Sequence, residues 1–328
     1  MARVLITGCA GFMGSHLAER LIARGDTVVG IDNFDDYYPR PIKEANLAQL
    51  RACERFSLVE ADIRDADAIS NVFAQGNVDW VLHWAAKAGV PPSLKDPNEY
   101  VAVNVEGTVN VLEAARRREG TRVIFASSSS VYGVRNPLPY REDADISRPL
   151  SPYAATKVAA EALCHCYHHL YGLPVMCLRL FNVYGPRQRP DLAMNLFAHR
   201  MARNETITLF GDGSTSRDYT YVDDVVDAVL AAMEVDFGFE ILNIGSGRPI
   251  RLDDMVKALE NAMGVRATLD RKPERAGDMV HTFADTARAR ELLGWQPRWT
   301  IEDGLRSFLD WMRTQPAPAE GAEHADGC

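Results

Sequence analysis

No apolar run in the 328-residue chain approaches the ~20 residues needed to cross a bilayer, which argues against a helical membrane protein. Positive charge is in deficit, with 36 Lys and Arg against 45 Asp and Glu and a net charge of −9. Nucleic-acid binding needs a basic surface to neutralise phosphates, so that class is disfavoured. An anionic small ligand remains open, because a few placed arginines can dominate one pocket. Cysteine is sparse: Cys9, Cys53, Cys164, Cys166, Cys177 and Cys328 show no paired spacing that reads as a disulfide framework. Free thiols in a reducing compartment are the simpler account. Cys164, Cys166, His165, His168 and His169 crowd ALCHCYHHLYG. That stretch is helical in pattern and has no second ligand cluster to join it, so no metal site is expected. The opening MARVLITG enters a strand pattern at once and leaves no room for a signal peptide, so a cytoplasmic protein is expected. Internal repeats are absent.

What is present is alternation. RVLIT, the helical FMGSHLAERLIARG and TVVGID make one strand–helix–strand unit. SLVEAD, DWVLHWA and RVIFASS follow as strands, with helices predicted over DADAISNVFAQ and PNEYVAVNVEGTVNVLEAARRR. After the helical SPYAATKVAAEALCHCYHHLYG comes a further strand, PVMCLRLFNV. This order predicts an α/β fold with a doubly wound parallel sheet, and the nearly continuous apolar strands fit a sheet buried on both faces. Past YGPRQRP the pattern loosens. LAMNLFAHRMARN and VVDAVLAAME read as helices around the turn-rich ITLFGDGSTSRDYTYVDD, and ILNIGSG as a strand returning to the first sheet. LDDMVKALENAMG and ARARELLGW read as short helices of a second, smaller α/β domain. The expected boundaries are 1–185 with a returning segment of about 220–246 for the first domain, and the rest of 186–313 for the second. Residues 314–328, rich in Pro, Ala and acid, are expected to be a disordered tail.

LITGCAGFMGSHLAERL places Gly8, Gly11 and Gly14 between a strand and a helix. Such glycines permit a tight turn and let backbone N–H groups approach a pyrophosphate at the helix N-terminus. Asp32 ends the next strand, where a carboxylate can accept from both ribose hydroxyls and repel a 2′-phosphate, favouring NAD over NADP. Asp62 and Ile63 stand where an adenine edge could meet a carboxylate and a backbone amide, although Asp62 could equally cap the following helix.

In FASSSSVYG an apolar strand stops in four serines, Ser127 to Ser130, and SPYAATK follows about twenty residues later. Tyr153 and Lys157 lie four apart near a helix start and share a face. A phenol with a pKa near 10 is a poor base at neutral pH, and a neighbouring ammonium favours its ionised form. Strands of a doubly wound sheet deliver their C-terminal ends to the ligand crevice, so a serine there can hydrogen-bond a substrate hydroxyl and pass its proton toward Tyr153.

Taken together, GCAGFMG, the aspartate of IDNF, HWAAKAG, SSSSVYG, YAATK, LRLFNVYGPRQRP, GDGSTSRDYTYVDD, NIGSG and ERAGD resemble the extended short-chain dehydrogenase/reductase family over about residues 2 to 313. The resemblance is to its nucleotide-sugar epimerases and dehydratases. It implies a Rossmann-type NAD-binding domain and a smaller UDP-sugar-binding domain. It also implies a homodimer through the two long helices, 97–118 and 151–172. Family dehydratases carry Asp-Glu, and decarboxylases a glutamate, immediately before the VYG equivalent. Ser129 and Ser130 stand there and cannot supply acid catalysis, so the resemblance implies a 4-epimerase that keeps its NAD. In that reading Tyr153 takes the 4-hydroxyl proton through or beside Ser128. A transient 4-keto sugar turns over in the site, and Lys157 holds the nicotinamide ribose.

The implied cofactor contacts further include Phe12, Met13, Asn33, Lys43, Ala85, Ala86, Lys87, Asn104 and Ser127. DNFDDYYPRPIKEANLAQL and YGPRQRPD look most like UDP-glucuronate 4-epimerases, which must hold the carboxylate of a β-keto acid out of alignment with the carbonyl. Ser128, Ser129, Asn182 and Arg189 are the implied donors around the sugar. Arg217, Arg275, Asn195 and Asp278 are implied further along the substrate. Pro91 replaces a frequent arginine and Asn182 a frequent threonine, which keeps a UDP-glucose/UDP-galactose or N-acetyl epimerase as the alternative. A non-catalytic NAD-binding protein and an NAD-releasing reductase are the remaining rivals.

Overall fold

The computed structural model describes residues 1–273 and 279–315. RVLIT and TVVGID form β1 (Arg3–Thr7) and β2 (Thr27–Asp32), parallel neighbours joined by α1 (Phe12–Arg24). α1 stops where Gly25 turns left-handed at φ 102 and its N–H caps the last carbonyls. Next come α2 (Arg40–Leu47), β3 (Phe56–Glu60), α3 (Ala66–Ala74) and β4 (Trp80–His83). α4 (Val90–Lys95), α5 (Pro97–Val101) and α6 (Gly107–Arg116) lead to β5 (Arg122–Ser128). α7 (Pro152–Tyr171) then leads to β6 (Val175–Leu180). The helix expected over 97–118 is interrupted: a π-helical turn at 102–106 separates α5 from α6. It centres on Asn104, whose amide holds the Lys87 backbone N–H at 2.8 Å and C=O at 2.9 Å.

Beyond β6 lie β7 (Val183–Tyr184), α8 (Ala193–Ala202), β8 (Thr206–Phe210), β9 (Ser216–Asp218) and β10 (Thr220–Tyr221). α9 (Val222–Met233), β11 (Phe239–Ile244), β12 (Pro249–Arg251), α10 (Leu252–Met263) and β13 (Thr268–Lys272) follow. α11 (Ala287–Leu293) and α12 (Ile301–Thr314) close the described chain. The residues expected as a tail fall mostly in 316–328, outside the described residues.

Seven parallel strands run in the order β11-β6-β5-β4-β1-β2-β3. Alternate side chains feed opposite faces. Val4 and Ile6 join one buried cluster with Leu17 and Leu21 of α1, while Leu5 joins the other with Val111 and Leu112 of α6. The chain winds outward from β1 through β2 and β3, then returns to β4 on the other side. That reversal opens a crevice at the carboxyl ends of the strands. A third cluster, with Phe197, Leu209, Leu259 and Phe308, is the core of the smaller lobe, and Phe12 at the start of α1 packs into it. Among the described residues no helix is long and apolar enough to cross a membrane.

Candidate active site

The turn GCAGFMG adopts backbone that side chains could not follow. Gly8 stands at φ +72, and a Cβ there would lie 2.8 Å from the Ala85 nitrogen. A Cβ on Gly14 would drive into the Gly8 carbonyl oxygen. α1 then begins with no acidic residue in its first turn and no side-chain cap, so its N–H groups and dipole offer a seat for an anion. A cleft of about 1140 Å³ starts at Gly8, Gly11, Phe12, Met13 and Gly14 and runs past the strand ends into the smaller lobe. That exceeds the roughly 300–1,000 Å³ of an ordinary ligand pocket.

Asp32, Asn33, Lys43, Asp62, Ile63, Ala85, Ala86 and Lys87 line one arm of this cleft. Asp32 accepts from the N–H of Ala10 at 3.0 Å and of Phe34 at 2.9 Å, which aims the carboxylate and leaves lone pairs for two hydroxyls. Burial raises its pKa against the charge of Lys43. A glycine cradle ending in a buried carboxylate fits a dinucleotide carrying free ribose hydroxyls. Asp62 is not the helix cap: Asp65 accepts from Ala68 N–H and caps α3. Asp62 instead takes hydrogen bonds from Arg64 and from Asn33 at 2.8 Å, and the Arg64 pairing holds it down at about 2. Asn104 does not line the cleft; it braces Lys87 and the Thr156 hydroxyl from behind.

Parallel pairing of β5 with β6 and the packing of α7 bring the serines to Tyr153. Ser127, Ser128, Ser129, Tyr153 and Lys157 all line the cleft. The Ser127 side chain turns away, donating to Glu161 Oε1 at 2.5 Å, so only its backbone is offered to a ligand. Burial raises the Tyr153 pKa, opposed by a hydrogen bond with Ser128 and by the charge of Arg189. The Tyr100 ring meets Tyr153 edge-on at 6.2 Å. The expected role of Lys157 in lowering the Tyr153 pKa is corrected here. Lys157 Nζ, buried, donates to Ala126 O at 2.7 Å and sits 4.8 Å from the Phe125 ring centroid, because a desolvated ammonium needs the strand-end carbonyl. Burial brings its own pKa down to about 8, against the negative influence of Cys164 and Glu161.

This sets a measurable pH dependence. Below about pH 8 the folded chain carries the full cost of a buried charge; from there to the unfolded value near 10.4 the unfolded chain binds more protons, so stability rises with pH. Lys157→Met is expected to stabilise the cofactor-free chain at pH 7. That advantage should shrink by most of its size between pH 8 and 10 in melting curves of both proteins. A constant advantage would mean the ammonium is not the cause.

Farther along the cleft Asn182, at φ 29, Arg189 and Arg217 line its wall. Arg217 Nη1 donates to the carbonyls of Ser216 and Val280, and among the described residues no hydrogen bond of its Nε or Nη2 is found. Arg189 forks to Asp191, with Nε at 2.9 Å and Nη2 at 2.8 Å from the carboxylate oxygens. Asn195 is corrected: it is buried behind the wall, its amide donating to Gln188 O at 2.5 Å, and it does not line the cleft. Arg275 and Asp278 lie outside the described residues. Asp35, Tyr37 and Asp191 also line the cleft. The acidic-aromatic DNFDDYY was the signal for the first two, and RPD for the third. Cys164 is buried and Cys166 exposed on α7, and among the described residues no group of three or more His, Cys, Asp or Glu could hold a metal.

Residues 4–245 match the model of the NAD dependent epimerase/dehydratase family. A UDP-glucuronate 4-epimerase of Thermodesulfobacterium geofontis is 38% identical over 95% of this chain and 97% of its own. The crystal structure of a UDP-glucuronic acid 4-epimerase from Bacillus cereus, in complex with UDP-glucuronic acid and NAD, is 37% identical with a TM-score of 0.89, covering 95% of this chain and 99% of that one. A UDP-glucose 4-epimerase structure from Thermotoga maritima, with UDP-glucose, is 34% identical with a TM-score of 0.88, covering 95% and 98%.

Proposed function

The chain belongs to the NAD dependent epimerase/dehydratase family, and from that premise we propose that it interconverts UDP-glucuronate and UDP-galacturonate by inverting carbon 4. The observation that carries this reading is the wall around Tyr153. The Ser128 hydroxyl and the Tyr153 phenol line the same cleft, the charge of Arg189 favours the phenol's ionised form, and serines rather than acids occupy 129 and 130. Loss of a sugar hydroxyl needs a proton donor at those places; inversion needs only a base that gives its proton back.

When bound, NAD supplies a reversible acceptor for the hydrogen on carbon 4. The Gly8–Gly14 turn would hold its diphosphate, Asp32 the adenosine ribose, Asp62 and Ile63 the adenine, and Lys157 the nicotinamide ribose. Tyr153 Oη takes the 4-hydroxyl proton, directly or through Ser128 Oγ. It stores that proton while the keto sugar presents its other face, then returns it to the same oxygen. Ser129, Asn182 and Arg189 orient the sugar, and Arg217 grips the diphosphate.

The finer assignments have their own support. Val101, Leu170 and Tyr171 are exposed on α5 and α7, which fits a homodimer built on those helices. Free cysteines fit a cytoplasmic protein. Incubation with UDP-glucuronate, followed by proton NMR, is expected to yield UDP-galacturonate. Turnover of UDP-glucose with none of UDP-glucuronate would replace this substrate with the neutral one.

A further inference from the structure

The segment YGPRQRPD closes into a tight turn, with Gln188 N–H bonded to Gly185 O at 3.1 Å and Leu192 N–H to Arg189 O at 3.2 Å. The closure sets the Arg189 and Asp191 side chains side by side although they are two residues apart. Their pair is bidentate and partly buried, at 16% and 29% side-chain exposure. Tyr37 binds both members from the facing segment. Its hydroxyl donates to Asp191 Oδ2 at 3.1 Å, and its ring centroid lies 5.0 Å from the Arg189 guanidinium carbon. Tyr37 is itself anchored, its N–H to Asp35 Oδ1 at 3.0 Å, and Asp35 is held by Lys87 at 2.8 Å.

A guanidinium has five N–H groups. Asp191 engages Nε and Nη2. The Nη1 edge, together with the second Nη2 proton, makes another fork of the spacing that suits a carboxylate. An arginine held along one edge loses less rotamer freedom on binding along the other. Tyr37 partly satisfies Asp191, which softens the repulsion a second carboxylate would meet. Pro91 on the same cleft brings no cation, so Arg189 has no help from that position.

We infer that Asp191 and Tyr37 are positioning residues that fix Arg189 to receive the substrate's carboxylate and thereby decide between epimerisation and decarboxylation; this rests on the proposed uronate substrate. A 4-keto uronate is a β-keto acid. When its C5–C6 bond aligns with the π system of the C4 carbonyl, that bond breaks and its electron pair becomes part of the enolate. Carbon dioxide then leaves and C5 takes up a proton. A carboxylate gripped by a fixed fork keeps the C5–C6 bond from swinging out of the ring plane into that alignment; one gripped by a loose arginine does not.

The test supplies UDP-glucuronate labelled with carbon-13 at C6 to the NAD-loaded native chain, Asp191→Asn and Tyr37→Phe. Labelled carbon dioxide is read by mass spectrometry alongside the UDP-sugars. The ratio of carbon dioxide to UDP-galacturonate is expected to rise at least tenfold in Asp191→Asn and by a smaller factor in Tyr37→Phe, which removes one hydroxyl and keeps the ring. If Asp191→Asn does not fold, Tyr37→Phe decides. An unchanged ratio in active variants, or tighter UDP-glucuronate binding without carbon dioxide, makes Asp191 a mere competitor for Arg189 and overturns the inference. A native chain that does not turn over UDP-glucuronate removes the proposed function and this inference with it.

Discussion

Tyr153→Phe is expected to lower kcat by roughly 10²–10⁴-fold, the range for losing a positioned acid–base group, while the purified variant still releases its nucleotide on denaturation. The phenyl ring keeps the edge contact with Tyr100, and Ser128 keeps its bond to Ser130 Oγ at 3.1 Å, so neither fold nor cleft should change. Only the oxygen that takes and returns the proton is lost, and KM should move far less than kcat. The native rate should also climb with pH through the neutral range, because burial lifts the phenol above its ordinary value and only its ionised form is a base. The residual rate of Tyr153→Phe should lack that climb. Undiminished turnover in the variant would transfer the role of base to another group.

The parts of the site that were legible in the sequence are those fixed by local backbone demands. Gly8 and Gly14 announce a turn in which no Cβ fits, and Asp32 announces itself by ending a buried strand. The meeting of SSSS with YAATK needed one further assumption, that both sit at the carboxyl end of a parallel sheet. What was not legible depends on which neighbour a charge finds. Lys157 shares a helix face with Tyr153, but spacing alone does not say that a strand-end carbonyl will take the ammonium. Arg189 was legible as a donor to the sugar, but its pairing with Asp191 was not, because only the folded turn sets the two side chains together. Asn195 sits within reach in sequence and one layer too deep in space. α12 is hard to read although Leu305, Phe308 and Leu309 are spaced for one buried face, because its acids and arginines mask the pattern. The break at Asn104 is a tertiary effect, invisible in a helix-forming run.

Arg179→Met is expected to carry the largest stability loss. Arg179 interrupts the apolar strand VMCLRL and is 1% exposed, a placement tolerated only with a partner. That partner is Glu161, on the inward face of α7, engaged by Nε at 3.0 Å and Nη2 at 2.8 Å. The remaining donor group, Nη1, bonds Tyr132 Oη at 3.0 Å and Glu142 O at 3.1 Å. Burial opposes the guanidinium's charge, but pairing with Glu161 outweighs it and holds Arg179 above its ordinary value. Removing the arginine alone strands a buried carboxylate, at a cost of about 3–5 kcal/mol, measurable as a fall in the denaturation midpoint. Adding Glu161→Leu removes the stranded charge and should recover most of the loss, since a buried ion pair is often matched by apolar residues of similar volume. The double variant should nonetheless be a poorer enzyme than it is a folded protein. Glu161 lies one turn beyond Lys157, holds the Ser127 hydroxyl, and is one of the negative groups that keep Lys157 protonated. Its removal should therefore let Lys157 lose its proton at lower pH. A single variant as stable as the native chain would mean that water reaches Glu161, and the pair would then have no bearing on the helix that carries Tyr153 and Lys157.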